Sequence, residues 1–187
     1  MNHLKKIFYQ LTPDVLGDIE NSFKIWNAKN KVLVKKGKTT DKLFFINKGF
    51  ALIKIEMNKE QWVRHIAQSG EFIASLSGLE KGNYCEETIV AIGECEIFYI
   101  DKSALIKLRN KYSQVDGIYN QYIKNALLAC QKRIGELLSL EAEEYYERLL
   151  VEKSSIMLNV PQYELASYLG IQPQSLSRIR GKVRRIS

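Results

Sequence analysis

Cysteine, histidine and proline are scarce in this sequence, and long apolar runs are missing. Three cysteines, Cys85, Cys95 and Cys130, stand far apart and odd in number among 187 residues. That spacing makes neither a disulfide framework nor a zinc pattern, so free thiols in a reducing compartment are expected. His3 and His65 are the only histidines, which excludes a histidine-rich metal centre. Neither a metal nor a cofactor is expected, and without clustered carboxylate and histidine ligands an enzyme of barrel type is not expected either. No apolar stretch is long enough to span a bilayer. The start, MNHLKKIFYQLTPDV, carries two lysines but no apolar run of signal-peptide length. The expectation is a cytoplasmic protein without membrane contact. Internal repeats, low-complexity tracts and Ser/Gly linkers are absent.

What is present is an ordinary globular composition, 45% apolar and 26% charged, with a net charge of +7. A basic balance suits a polyanionic partner. Its distribution is more informative. Arg178, Arg180, Lys182, Arg184 and Arg185 crowd the last fifteen positions without an acid, whereas Glu136 to Glu152 is acid-rich.

Along the chain the hydrophobic period changes twice. Leu4 to Glu20 reads as one or two short helices, with Thr12 as cap, Pro13 at the first helical position and Asp14 in the first turn. From Phe23 to about Ile100, β-branched and aromatic runs are punctuated by Gly, Asn and Lys at intervals of roughly ten residues, with Gly37, Gly49, Gly70, Gly82 and Gly93 in the expected turns. Many short strands joined at glycine turns predict an antiparallel sandwich or barrel. From Tyr112 onward, Tyr119, Ile123, Leu127, Cys130, Ile134 and Leu137 recur at spacings of three and four. This predicts one helix of about 25 residues, about 37 Å long. Such a helix lies across its own domain or pairs with a copy of itself, and the second reading is favoured here. EAEEYYERLLVEK predicts a further helix, and SSIMLNV a link to Pro161.

The stretch PQYELASYLGIQPQSLSRIRGK, Pro161 to Lys182, predicts two short helices joined by a tight turn. Pro161 and Pro173 open them. Leu165 and Leu169 share a face, small Ala166 permits a close crossing, and Gly170 suits the turn. Leu176 and Ile179 face inward, leaving Gln174, Ser175, Ser177, Arg178 and Lys182 outward. These positions together match a helix-turn-helix.

The order of barrel, long helix and helix-turn-helix resembles the Crp/Fnr family of bacterial transcription regulators over nearly the whole chain. The best stretches are Lys36-Gly37 through DKLFFINKGFALIKI, the block Gly70-Glu71-Phe72-Ile73, and the helix-turn-helix. The phrase VPQYELASYLGI…SLSRIR is most similar to the Bacteroidetes branch. The resemblance implies an α+β fold: a jelly-roll, cyclic-nucleotide-binding-like sensor barrel over 1–111, a long dimerisation helix over 112–139, and a helix-turn-helix domain over 140–187. Many members continue into a β-hairpin wing, and here the expectation is a wingless reader. It further implies a homodimer on an inverted-repeat site in double-stranded DNA, with RNA polymerase as a further partner. Tyr119, Ile123, Leu127, Ile134 and Leu137 would form the dimer contact. A hinge is expected near Ser139 to Glu141.

Nucleotide-binding members carry Gly-Glu-Leu and then Arg-Ser or Arg-Ala, which take the ribose and the cyclic phosphate. A gapless match from Gly70 places Ala74, Ser75 and Leu76 at the first motif and Cys85 and Glu86 at the second, with Glu87 following. A thiol and carboxylates replace the guanidinium, so binding of cyclic AMP in the family's manner is not expected. The match places Cys130 near the pocket, either as packed core or as a redox handle. No cysteine precedes Cys85, so the iron–sulfur route to oxygen sensing is not expected. For the DNA end, the match places Gln174 and Arg178 at base-reading positions. Gln162 and Ser175 would meet phosphates near helix N-termini, with Arg180, Lys182, Arg184 and Arg185 supplying backbone charge. The alternative is a ligand- or protein-binding barrel module with a degenerate helix-turn-helix.

Overall fold

The structure is a computed structural model. It describes residues 2–81 and 84–186, the side chains of 2, 5, 81 and 184–186 excepted. Gly82 therefore lies outside the described residues.

Helices α1 (Asn2–Ile7) and α2 (Pro13–Ser22) come first. Pro13 opens α2 as expected, and Val15 and Ile19 are its buried side. Six strands follow: β1 (Lys24–Lys29), β2 (Val32–Val34), β3 (Lys42–Met57), β4 (Glu60–Gln68), β5 (Phe72–Ile73) and β6 (Glu87–Asp101). Helix α3 (Leu76–Lys81) precedes β6, and α4 (Lys102–Lys111) follows it. Then come α5 (Ser113–Ser139), α6 (Ala142–Glu152), α7 (Ser154–Asn159), α8 (Gln162–Leu169) and α9 (Pro173–Ile186). The long helix has 27 residues.

The sheet corrects the expectation of many short strands closed into a barrel. Its order is β1-β6-β3-β4, with β2 added to β6 and β5 to β3, all antiparallel and open at both edges. Two strands of 16 and 15 residues form its spine. Gly49 and Gly93 do not end strands. They sit inside β3 and β6 at positive φ, 99° and 65°, where the β3–β6 register shifts. Such irregularities bend a strand without ending it.

The irregularity at Gly49 also switches which side chains point inward. Phe44 and Ile46 belong to the core between the sheet's faces, and beyond the glycine Ala51 and Ile53 do. An odd step flips parity. The outer face is divided accordingly. Leu43 and Phe45 pack with α1, α2, α4 and α5, whereas Leu52 packs with α6 to α9.

Three helices were not foreseen, the first being α3, within the stretch read as strands. Residues read as a link between α6 and Pro161 form α7, with Ile156 and Met157 buried, and Leu105 and Leu108 bury one side of α4. Between α5 and α6 only Leu140 and Glu141 are extended, at the place of the expected hinge.

Candidate nucleic-acid interface and sensor cleft

Helix α8 ends at Gly170, whose φ of 72° lets its N–H reach the carbonyls of Ala166 and Ser167. Ile171 N–H also bonds back to Ala166 at 3.0 Å. This is the double bond that closes a helix at a left-handed residue. Ala166 and Leu176 are fully buried where α8 and α9 cross. Gln174, Ser177 and Arg178 are exposed on the outer side of α9, and Ser175 and Arg180 are half-buried. No acid stands in the first turn of α9, so its positive end is left for an anion. Gln162 is exposed at the start of α8. Lys182 is not free: Glu143 of α6 holds its Nζ at 2.7 Å. The Arg184 and Arg185 side chains lie outside the described residues.

Helix α5 divides into two halves. Tyr119 is buried in its own chain's core and its hydroxyl donates to Glu80, which removes it from the expected dimer contact. Ile123 is half-buried. Beyond it Leu127 is 59% exposed, Ile134 58% and Leu138 83%, and Leu128 and Leu137 are also uncovered. Cys130 is exposed in the same stretch, so it does not pack as core.

The cleft at the second motif is lined by Lys36, Gly37, Ile55, Glu56, Arg64, Tyr84, Cys85, Glu86 and Glu87. Ala74 and Ser75 do not line it: both are buried in the chain segment before α3. Cys85 is buried, and Glu86 is exposed. The sequence reading missed the two cations. Each is engaged, Lys36 with Glu56 at 3.1 Å and Arg64 with Glu87 at 3.6 Å. Among the described residues no group of three or more His, Cys, Asp or Glu could hold a metal.

Strand β4 is the sheet's edge, and α8 covers it. Val63 N–H donates to Ser167 Oγ at 2.8 Å, and Val63 C=O accepts from Arg133 of α5 at 3.2 Å. The same guanidinium nitrogen reaches Tyr168 C=O at 2.7 Å, and the group stacks on the Tyr168 ring at 3.8 Å. Lys54 of β3 and Glu164 of α8 pair at 2.5 Å. None of these partners was foreseen, because up to 110 positions separate them.

His65 of β4 is depressed to about 4 by burial and by the charges of Lys153, Arg64 and Arg133. Its folded pKa lies below the unfolded value, so the unfolded chain binds the proton more tightly. Stability is therefore whole above about pH 6.5 and falls by about 3 kcal/mol as pH drops towards 4. Urea midpoints at pH 7.5 and 4.5 should show that His65→Gln removes this part of the acid loss. An equal loss in both proteins would refute it.

Among curated proteins none matches the chain. Residues 25–112 match the cyclic nucleotide-binding domain family. That segment is the sheet with α3 and α4, so the fold of the first part is that of a cyclic nucleotide-binding domain.

Solved structures extend the likeness over most of the chain. FixK2 from Bradyrhizobium japonicum superposes with a TM-score of 0.77 at 15% identity, over 87% of this chain and 85% of that one. CLP, the c-di-GMP responsive global regulator of Xanthomonas campestris, gives 0.74 at 16% identity, over 93% and 92%. TTHB099, a CRP-family transcriptional regulator from Thermus thermophilus, gives 0.70 at 15%, over 87% and 84%. At such identities the likeness is one of fold.

Proposed function

We propose that this chain is a homodimeric, sequence-specific DNA-binding transcription regulator of the Crp/Fnr type. In this reading residues 1–111 are the sensor, 112–139 the dimerisation helix and 140–187 the reader. The observation that carries the proposal is the outer side of α9. It exposes Gln174, Ser177 and Arg178, has no acid in its first turn, and is held by a glycine turn against a closely crossing helix. The uncovered apolar stretch of α5 supports the dimer. Two copies paired there would present two reading helices about 34 Å apart, one turn of DNA.

Selection of bound fragments from random duplex tests this reading. An inverted repeat is the expected product. Recovery of no motif would overturn the DNA reading and leave a ligand- or protein-binding module. On the selected fragment, Arg178→Ala is expected to cost about 1–3 kcal/mol and relax specificity at one base, as loss of a bidentate guanine contact does. An equal loss on every sequence would assign Arg178 to phosphate.

The sensor in this proposal does not take cyclic AMP. Both cations of the cleft face a carboxylate and Glu86 adds a further negative charge, so a cyclic phosphate meets repulsion where the usual site offers a guanidinium. Calorimetry is expected to show no binding at micromolar nucleotide. Micromolar affinity would sink this part.

A further inference from the structure

The contact between α8 and the sheet edge has more tethers than simple packing needs. We propose that Arg133 and the Lys54–Glu164 pair form a latch that fixes the angle at which the reading helices leave the dimer helices. This rests on the DNA-reading proposal above.

Glu164 stands in the first turn of α8, where an acid is favourable when exposed to water. Here its side chain is 3% exposed. A carboxylate buried so deeply is tolerable only beside a cation, and Lys54 supplies one from near the end of β3. The pair thus ties the first reader helix to the spine of the sensor sheet.

Arg133 makes the second tie. Its guanidinium joins four elements at once: its own α5, Val63 of β4, Tyr145 of α6 and Tyr168 at the end of α8. Ser167 completes the bridge by accepting from Val63 N–H. In sequence Arg133 adjoins Ile134, one of the uncovered apolar residues through which α5 would pair with a second copy. The pairing helix, the sheet edge and the reader therefore meet at one side chain.

The covalent path is one short joint. Leu140 and Glu141 are extended between α5 and α6, and Leu140 packs against the α6–α9 core. The Lys132–Glu152 pair spans the same joint at the surface, where such pairs contribute little, and Arg148 of α6 reaches the largely buried Glu136 of α5 across it at 3.4 Å. The buried tethers decide the angle. In the latched form the outer side of α9 stays open, so latching and reading are compatible, and the latched form is the competent one.

The test uses the full chain with Glu164→Gln and with the charge swap K54E/E164K. Two measurements are made: amide exchange, and affinity for the selected palindromic fragment compared with the same fragment carrying one scrambled half. Glu164→Gln is expected to speed exchange of α8 and α9 amides about 100-fold, the scale of breaking a buried pair, with β3 and β6 unchanged. The advantage of two half-sites over one should fall by about tenfold or more as the second reader loses its fixed position. The charge swap should recover both. Unchanged exchange overturns the latch. So does a freed reader that keeps its two-site advantage, or one that gains affinity. Failure of the wild type to select any fragment defeats the DNA reading, and the exchange measurement then still decides whether the tether exists.

Discussion

Replacing Leu127 and Ile134 together by glutamate is expected to yield a folded monomer that no longer holds a two-half-site fragment. The two residues are seven apart on α5 and both more than half exposed, so they project from one side of the helix. Neither belongs to the buried core of its own chain, and their replacement costs the monomer little. In a dimer they would become the centre of a parallel seam, where four like charges cannot be placed. Loss of bivalency should lower affinity for the palindrome by about 100-fold or more while leaving half-site binding near its original level. Size-exclusion chromatography with light scattering reads the first effect and titration the second. A variant that stays dimeric would remove α5 from the interface.

A native probe reports on the same seam. Cys130 falls on the three–four spacing between Leu127 and Ile134, and it is the exposed thiol, Cys85 and Cys95 being buried. Parallel pairing in register sets two Cys130 side chains opposite each other. Diamide should then cross-link the wild type into a covalent dimer and leave Cys130→Ser as single chains.

The second large effect concerns the sheet. Gly49→Ala is expected to cost about 3–5 kcal/mol, combining backbone strain with overpacking. The backbone there has φ of 99°, and an added Cβ would stand 2.6 Å from Cys95 Sγ and 2.8 Å from Glu94 O. Backbone cannot yield as a flexible side chain does. For a chain of this size the melting temperature should fall by about 10 °C or more. Gly93→Ala is the control. Its φ is 65°, but nothing lies within 4 Å of the added carbon. Its cost should stay near 1 kcal/mol, the scale of conformational strain alone. Equal losses at the two positions would mean that crowding at Gly49 is relieved by a small shift of the neighbouring strand.

Local chemistry was legible in the sequence. Pro13, Pro173 and Gly170 mark helix boundaries through fixed φ or tolerance of positive φ, and the structure places each at such a boundary. The three–four spacing from Tyr119 to Leu137 correctly signalled one long helix. It did not show where its own domain stops covering that helix, so Tyr119 was assigned to a partner and is buried at home. Gly49 and Gly93 read as turns because a glycine in a strand and a glycine between strands look alike in one dimension. The tethers at Arg133 and Glu164 were beyond reach for another reason. A lysine, an arginine and a glutamate on amphipathic elements read as solvated until tertiary packing brings them together.

The shared outer face of the sheet bears on modularity. Leu52, Val63 and Ile66 belong to the same buried cluster as Tyr145, Leu149, Leu165 and Leu169. A fragment cut at residue 140 would carry away α6 to α9 but leave one wall of their core behind. Transplanting these four helices onto another sheet would therefore require grafting a patch of strand surface along with them, since recipient and donor must match in side-chain shape as well as in linker length.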